Sequence, residues 1–194
     1  MVAQVFNLCR RLGVMSGAST EKSGRTGVQP VRGVLKITRR NLPHWQIGGR
    51  AYFVTFRLRK GQLTAEERDI VLGACLHWHE KKWHLYAATV MPDHAHLLVQ
   101  PLQKRPEQWF PIGEILHSVK RHSALRINRG RRRTAPLWME ESFDRIVRDE
   151  AEFREKLAYI AGNAVKNGLA HDPLEYPHFW WDQMDVHRIQ SCAT

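Results

Sequence analysis

The segment from Val90 to Val99 places two histidines at the start of an apolar run, and it constrains the fold more than any other part of the sequence. A Pro-Asp pair marks a turn, and the residues from His96 to Val99 that follow it are typical of a buried β-strand. Side chains alternate between the two faces of a strand, so His94 and His96 are expected on one face, about 6 to 7 Å apart at the backbone. Two neutral imidazoles at that separation can bind one divalent cation.

A second pair of histidines with the same spacing, His77 and His79, provides an internal comparison. It lies in residues 64–82, where a capping box at Thr64 and apolar residues at every fourth position predict a helix. Residues i and i+2 of a helix point about 200° apart, so this pair is not expected to chelate a cation. For the strand pair, two hydrogen-bonded histidines without a metal are the alternative interpretation, and the other motifs of the chain bear on that choice.

The predicted elements follow one another in the order β-α-β-β-α-β-α, without internal repeats. The strands are predicted at 51–58, 83–91, 94–100 and 143–148, and the helices at 64–82, 111–128 and 149–165. This order is typical of an α+β fold with a ferredoxin-like split βαββαβ antiparallel sheet, covered on one face, and an added C-terminal helix. Residues 1–43 are predicted to be a flexible basic arm and residues 176–194 a tail, which leaves 44–175 as one folded domain.

Basic residues outnumber acidic ones, with 30 Lys and Arg against 19 Asp and Glu and a formal net charge of +11 at pH 7. No acidic residue occurs from Ile115 to Met139, and half of the residues in 120–133 are basic. These basic residues are Lys120, Arg121, Arg126, Arg129, Arg131, Arg132 and Arg133. A stretch that spans a helix end and a loop in this way is suited to neutralise the phosphates of a nucleic acid, and a solvated loop is the alternative.

The cysteines and the hydropathy pattern indicate in which cellular compartment the protein is expected. Cys9, Cys75 and Cys192 lie far apart without a C-x-x-C pair, which argues against a disulfide framework or a thiolate zinc site and fits a reducing cytosol. No apolar run approaches the ~20 residues that a transmembrane helix needs, so no membrane partner is expected. The sequence therefore predicts a cytoplasmic protein.

Tyr159 and Asn163 lie at positions i and i+4 of the third predicted helix and share one of its faces. A phenol can act as a covalent nucleophile toward phosphorus, and an amide oxygen can complete the coordination of a hard metal. In isolation the pattern is weak, because a tyrosine in a helix is more often a packed aromatic. The other tyrosines, Tyr52, Tyr86 and Tyr176, have no such partner four residues on.

Taken in chain order, these motifs resemble the single-tyrosine HUH transposases, and most closely their REP-associated tyrosine transposase branch. The resemblance runs from about residue 39 to 174 and covers 39–45, 52–58, 90–98, 115–120, 137–138, 141–150 and 159–169. Two positions depart from the family pattern. The family's Met-Pro-Asn-His has Asp93 here, and its Asn-Pro-Val-Lys has Ala164 in place of proline. Neither departure removes a catalytic group.

The resemblance implies a function and assigns roles to the motif residues. It implies that His94 and His96 bind a divalent metal, Mg²⁺ or Mn²⁺, with Asn163 as a third ligand. It also implies that Tyr159 attacks DNA and forms a 5′-phosphotyrosine, as the nucleophile of a transposase that cleaves and rejoins DNA near hairpin repeats.

The partner that the resemblance implies is single-stranded DNA with REP-like hairpins. The enzyme is then expected to be associated with the nucleoid, as a monomer or a homodimer. Two other functions stay open at this point: a DNA-binding regulator without nicking activity, and a metal-dependent phosphoesterase without a covalent step.

Overall fold

The computed structural model describes residues 36–39, 43–46 and 48–183. In these ranges the strands are β1 (Lys36–Arg39), β2 (Pro43–Gln46), β3 (Tyr52–Arg57), β4 (Trp83–Val90), β5 (His94–Pro101), β6 (Gln103–Arg105), β7 (Gln108–Trp109), β8 (Phe143–Ile146) and β9 (Phe179–Trp181). The helices are α1 (Ala65–Leu76), α2 (Ile112–Gly130) and α3 (Glu150–Lys166), and a 3-10 turn covers Pro173–Glu175.

Five strands form one antiparallel sheet in the order β8-β3-β5-β4-β9. The strand β5 lies between β3 and β4, the two strands that α1 connects, and this insertion is what a split βαβ arrangement requires. Two further strand pairs, β1–β2 and β6–β7, form separate two-stranded sheets. The predicted α+β fold with an antiparallel sheet is therefore confirmed.

Helices cover both faces of the sheet, so the prediction that only one face is covered is wrong. Val54 and Leu97 pack in the core on the side of α1 and α2, whereas their chain neighbours Phe53 and Leu98 pack with Ile160 of α3. Successive residues of a strand face opposite sides, and a strand that is apolar at consecutive positions is typically buried on both. His96 and Leu98 are two positions apart on β5 and therefore share a face of the sheet. Because Leu98 packs against α3, this helix lies over the face that carries the histidine pair.

The first turns of two helices are fixed by side chains at the predicted caps. The hydroxyl of Thr64 accepts a hydrogen bond from the amide of Glu67, and the Glu67 carboxylate accepts one from the amide of Thr64 at 2.9 Å. At α3, a carboxylate oxygen of Asp149 accepts from the amide of Glu152 at 2.8 Å. Each bond satisfies an amide that has no partner within the helix.

The helix α1 ends at Leu76, well before its predicted end, and the prediction for the residues that follow is wrong. Glu80 adopts a left-handed backbone with φ +57°, and this reversal lets Trp83 enter the core at the start of β4. The indole N–H of Trp83 donates to a carbonyl of α1 at 3.1 Å. His77 and His79 consequently lie in the turn after the helix and not within it.

The folded part extends past residue 175, where the sequence predicts the domain to end. Tyr176 is buried, and β9 continues the sheet along the edge of β4. The strand β1 falls within the predicted arm and pairs with β2, whereas residues 1–35 of the arm and 184–194 of the tail lie outside the described residues. Among the described helices, none is long and apolar enough to cross a bilayer.

Candidate metal and nucleophile site

The histidine pair lies at the beginning of β5, on the face that α3 covers. The ring centroids of His94 and His96 are 4.7 Å apart, with the ring planes at 76°. The sheet register places His94 opposite Arg57 of β3, and His96 opposite Thr55 of β3 and Thr89 of β4. The structure thus brings both rings to one end of the central strand.

Both imidazoles are oriented through Nδ1. The Nδ1 atom of His94 lies 2.6 Å from a carboxylate oxygen of Asp93, and that of His96 lies 2.7 Å from the hydroxyl of Thr55. An ionised carboxylate only accepts, so Nδ1 of His94 carries a proton, and in the neutral tautomer of this ring Nε2 has the free lone pair. A hydroxyl can accept as well as donate, and when Thr55 accepts, His96 has the same tautomer. Partners of this kind orient metal-bound histidines.

The Nε2 atom of His96 is buried and has no hydrogen-bond partner among the described residues. A buried polar atom without a partner is costly, so such an atom calls for an explanation. Burial, the neighbouring charge of His94 and the charge of Arg57 lower the pKa of His96 to about 3. The ring is therefore neutral at physiological pH, which is the form that binds a metal. The donor set of this site thus fits a divalent cation.

Tyr159 of α3 lies over the histidine pair. Its ring centroid is 5.1 Å from that of His96 and 5.8 Å from that of Phe53. The side chain is 45% exposed, whereas Tyr52 and Tyr176 are buried. Tyr159 therefore combines solvent access with contact to a candidate metal ligand.

Asn163 lies one turn beyond Tyr159 on α3 and is buried. Its side-chain oxygen accepts a hydrogen bond from the side-chain amide of Asn167 at 2.8 Å. A carbonyl oxygen has a second lone pair, so this bond leaves one site for a cation. The role of Asn163 as a third ligand stays a prediction.

Two residues of β3, Phe53 and Thr55, contribute to the site and were not predicted from the sequence. The Phe53 ring stacks on His96 with centroids 5.4 Å apart and planes at 21°, and the Lys156 ammonium group of α3 lies 5.7 Å from the same ring. Thr55 and His96 are 41 positions apart in the chain. Alternation along β3 is enough to predict that Phe53 and Thr55 share a face. Their contact with His96 follows only from the pairing of β3 with β5, which the sequence pattern does not give.

Comparisons with known proteins show similarity to transposases over most of the chain. No family model matches the chain. A Haemophilus influenzae protein that carries the name "Putative REP-associated tyrosine transposase" is 26% identical over 141 residues, which cover 67% of this chain and 78% of that protein. A solved structure of a REP-associated tyrosine transposase bound to a REP hairpin matches with a TM-score of 0.61 and 17% identity, over 80% of this chain and 87% of the other. The chain is thus similar in sequence to a protein of that name and in fold to a REP-associated tyrosine transposase.

The basic stretch lies on α2 and the turn after it, and α2 packs on the sheet face opposite the histidine pair. The end of this stretch nevertheless reaches the same end of the sheet as the site. Arg131 donates to the carbonyl of Gln62 at 2.6 Å, and the next amide, that of Leu63, donates to the carbonyl of Pro92 at 2.6 Å, in the turn before His94. The basic turn and the turn that leads into the histidine pair are therefore neighbours.

Three members of the basic stretch form hydrogen bonds within the protein. One of them, the exposed Arg133, donates from Nε to the side-chain oxygen of Asn128 at 3.0 Å. The guanidinium of Arg131 forms a two-pronged ion pair with Glu67, and the Lys120 ammonium donates to the carbonyl of Glu140 at 2.8 Å and to the hydroxyl of Ser142 at 3.1 Å. These bonds compete with a phosphate for the same N–H groups. The exposed members of the stretch are Arg121, Arg126, Arg129, Arg132 and Arg133.

A second group of potential ligands within the described ranges consists of His79, Glu80 and His84, at the opposite end of β4 from the histidine pair. A carboxylate oxygen of Asp182, just after β9, lies 3.3 Å from Nε2 of His84 and 3.8 Å from Nε2 of His79. The amide of Leu85 donates to Nδ1 of His79 at 3.1 Å, so the proton of the neutral ring is on Nε2. We interpret this group as a polar contact that fixes β9 to β4.

Proposed function

We propose that the protein is a metal-dependent transposase that cleaves and rejoins single-stranded DNA near hairpin repeats through a 5′-phosphotyrosine. The observation that carries this proposal is the contact between the exposed Tyr159 and the buried His96, whose Nε2 has no partner in the described part of the chain. A related structure holds a REP hairpin, which supports hairpin DNA as the substrate. Such an enzyme acts on the chromosome, so we propose the cytoplasm as its location.

The residues that would hold the cation are His94 and His96, each through Nε2, with Asn163 as a third ligand. Asp93 and Thr55 fix the orientation of the two rings. A Mg²⁺ or Mn²⁺ ion held by these residues would polarise the scissile phosphate and offset the charge that develops on it. Burial of His96 keeps its ring neutral and ready to bind.

Tyr159 supplies the nucleophile. Its hydroxyl oxygen forms a bond to phosphorus while the bond from phosphorus to the 3′-oxygen breaks, and the phenolic proton leaves to solvent at the exposed face of α3. The 3′-oxygen takes up a proton and departs as a hydroxyl group. The phosphate ester on Tyr159 retains the bond energy, so a later attack by a 3′-hydroxyl rejoins the strand without ATP.

The exposed arginines of the basic stretch would hold the hairpin backbone. Because Arg132 and Arg133 lie next to the turn before His94, a strand bound there can continue into the site around the end of the sheet.

The test is a covalent trapping experiment with a single-stranded oligonucleotide labelled on the 3′ side of the cut. We expect a denaturation-resistant adduct that keeps the label, because the tyrosine holds the 5′-phosphate of that fragment. Tyr159→Phe removes one oxygen from a half-exposed side chain, so DNA binding should persist while adduct and nick both disappear. Tyr86→Phe is the matched control, since its hydroxyl donates to Gln100, away from the histidine pair.

Each alternative function has its own outcome in this assay. Cleavage without an adduct at any time point would establish a phosphoesterase without a covalent step. Specific binding without cleavage by the unaltered protein, in the presence of Mg²⁺ or Mn²⁺, would establish a regulator. An adduct that persists in Tyr159→Phe would place the nucleophile elsewhere.

A further inference from the structure

An exposed aromatic side chain, Phe143 of the edge strand β8, shares the sheet face of the candidate site. The register places Phe143 opposite Thr55 of β3, and Thr55 opposite His96 of β5. Directly opposite residues of antiparallel strands point to the same face, so the three side chains form a row across three strands. With neighbouring strands about 4.8 Å apart, the backbone of Phe143 lies about 10 Å from that of His96.

Phe143 is 53% exposed, more than any other Phe, Tyr or Trp side chain among the described residues. Tyr159 follows at 45%. A single exposed apolar side chain needs no explanation by itself. Here, however, the two most exposed aromatic side chains both lie on the face that carries His96, one on α3 and the other on the sheet edge.

Cationic side chains flank Phe143 on the same face. Arg57 is two residues after Thr55 on β3 and opposite His94, and it is exposed. Arg145 is two residues after Phe143 on β8, and its guanidinium is held by Glu152 at 2.9 Å. Proteins bind unpaired nucleotides with this combination of an exposed aromatic ring and nearby cations. The base stacks on the ring, and the phosphate forms an ion pair with a cationic side chain.

We propose that Phe143 is a stacking platform for an unpaired nucleobase of the DNA strand, beside the scissile phosphate, with Arg57 on the phosphate between the platform and the metal ligands. This inference rests on the proposed function, because single-stranded DNA is the occupant. It deepens that function by adding a base-binding subsite that neither the sequence motifs nor the contacts of Tyr159 assign. Stacking at this subsite would orient the bound strand. The place of Phe143 relative to His96 would then determine whether the stacked base lies on the 5′ or the 3′ side of the cut.

The experiment measures stacking directly, in a background that cannot cleave. Single-stranded oligonucleotides carrying 2-aminopurine at successive positions around the cut are titrated with the Tyr159→Phe protein, with and without Phe143→Ala. We expect one position whose fluorescence is quenched in a manner that depends on Phe143. Base stacking on an aromatic side chain contributes about 1–3 kcal/mol, so Phe143→Ala should weaken binding about 5- to 140-fold. The salt dependence should stay unchanged, because no charge is altered.

Two further variants separate stacking from a structural effect. Phe143→Tyr keeps an aromatic face and should keep the quenching, whereas Phe143→Leu keeps an apolar side chain and should lose it. Leu174→Ala is the matched control, since Leu174 is 50% exposed in the 3-10 turn and belongs neither to the row of Phe143, Thr55 and His96 nor to the basic stretch. This variant should bind as the parent protein does.

The possible results distinguish the stacking role of Phe143 from the proposed phosphotyrosine chemistry. Equal quenching in the Phe143→Ala protein and in its parent would refute the proposed stacking role of Phe143. The role would also be refuted if Phe143→Ala weakened binding of fully paired DNA as much as binding of single-stranded DNA. Failure of the trapping experiment with the unaltered protein would overturn the phosphotyrosine step, while Phe143-dependent quenching would still establish the subsite. Trapping without such quenching would leave the chemistry intact and refute the subsite.

Discussion

At the scale of single residues, Thr55 is the group whose role can be isolated most cleanly. Thr55→Val preserves the shape of the side chain and removes the hydroxyl that meets Nδ1 of His96. Loss of such a partner typically costs 10- to 100-fold in metal affinity. We expect the Mn²⁺ concentration for half-maximal cleavage to rise by about that factor, with metal-free DNA binding unchanged.

The control for Thr55 lies on the other side of the same histidine. Thr89 is opposite His96 on β4, and its hydroxyl contacts the sulfur of Met91 at 4.0 Å. Thr89→Val should leave the metal requirement near that of the unaltered protein. The same shift in both variants would contradict a specific role for Thr55.

The histidine pair itself gives a second prediction at this scale. His94→Ala or His96→Ala should abolish cleavage, and EDTA should do the same, because the pair supplies the proposed metal ligands. His77→Ala should leave cleavage nearly intact, since the His77 ring packs edge-on against Trp78 with centroids 4.6 Å apart at the end of α1. Cleavage in EDTA at the rate seen with Mg²⁺ would remove the metal from the proposed chemistry.

How much of the site the sequence predicts depends on whether its residues are neighbours in the chain. The pairing of His94 with His96 is local, because two positions on one strand share a face whatever the fold. The contacts of His96 with Thr55 and Phe53 depend on which strand lies beside β5, and no pattern within one segment contains that information. The sequence therefore predicts the candidate metal ligands, with Asp93 beside His94, and misses Thr55 and Phe53, the distant residues that contact His96.

At the scale of elements, the exposed part of the basic turn is expected to bind DNA. Replacing Arg132 and Arg133 with glutamine should weaken binding of single-stranded DNA and reduce its salt slope by about 0.7 for each lost phosphate contact. Cleavage at saturating DNA should survive, because neither residue is placed at the histidine pair. An unchanged slope in a salt titration would show that the turn is only solvated.

Arg131 belongs to the same turn and has a different expected effect. The charged hydrogen bonds from Arg131 to Glu67 join the end of α2 to the beginning of α1. Arg131→Gln removes them and should lower the free energy of unfolding by about 1–3 kcal/mol. The hydrogen bond from Arg131 holds the pKa of Glu67 below its usual 4.5. The stabilisation is therefore present above about pH 4.5 and is lost as the pH falls through the lower folded-state value.

The measurement for Arg131 is urea unfolding of both proteins across this pH range. The difference in unfolding free energy between the unaltered protein and Arg131→Gln should shrink toward acid pH. A difference that is independent of pH would mean that packing, and not the ion pair, accounts for the effect. The salt slope of DNA binding is a further readout, which Arg131→Gln should change less than the double replacement of Arg132 and Arg133.

The ends of the elements show where sequence patterns lose information. The capping box at Thr64 is a local signal and gives the start of α1 correctly. Trp78 continues the four-residue apolar spacing beyond the true end at Leu76, because its ring packs with the Lys82 ammonium 3.9 Å away in the turn that follows. The strand β9 has only three residues and no alternation, so nothing in its own sequence distinguishes it from a tail.

At the scale of the whole molecule, the C-terminal segment beyond residue 175 is part of the fold that supports the site. The hydroxyl of Tyr176 donates to the carbonyl of Val90 at 2.7 Å, and the amide of Val90 donates to the carbonyl of His178 at 2.9 Å. Val90 leads directly into the turn before the histidine pair. This segment therefore fixes the end of β4 next to the site.

Truncation tests this role of the C-terminal segment. A chain that ends at residue 175 should melt at a lower temperature than one that ends at 183, and it should aggregate more readily, because removal of β9 exposes the edge of β4. Metal-dependent cleavage should fall as well. Equal melting temperatures and equal cleavage rates for the two truncated chains would show that the segment is dispensable.

The contact between Thr55 and His96 joins two strands that are distant in the chain, so the metal-binding geometry exists only when β3 and β5 are paired in the native register. An unfolded chain offers no such geometry, and a cation then favours the native state by mass action, by about 2.7 kcal/mol at one hundred times its dissociation constant. The ion that serves the proposed chemistry would thereby also be a folding ligand. We expect its presence to raise the melting temperature even of the Tyr159→Phe protein, in which no DNA can be cut.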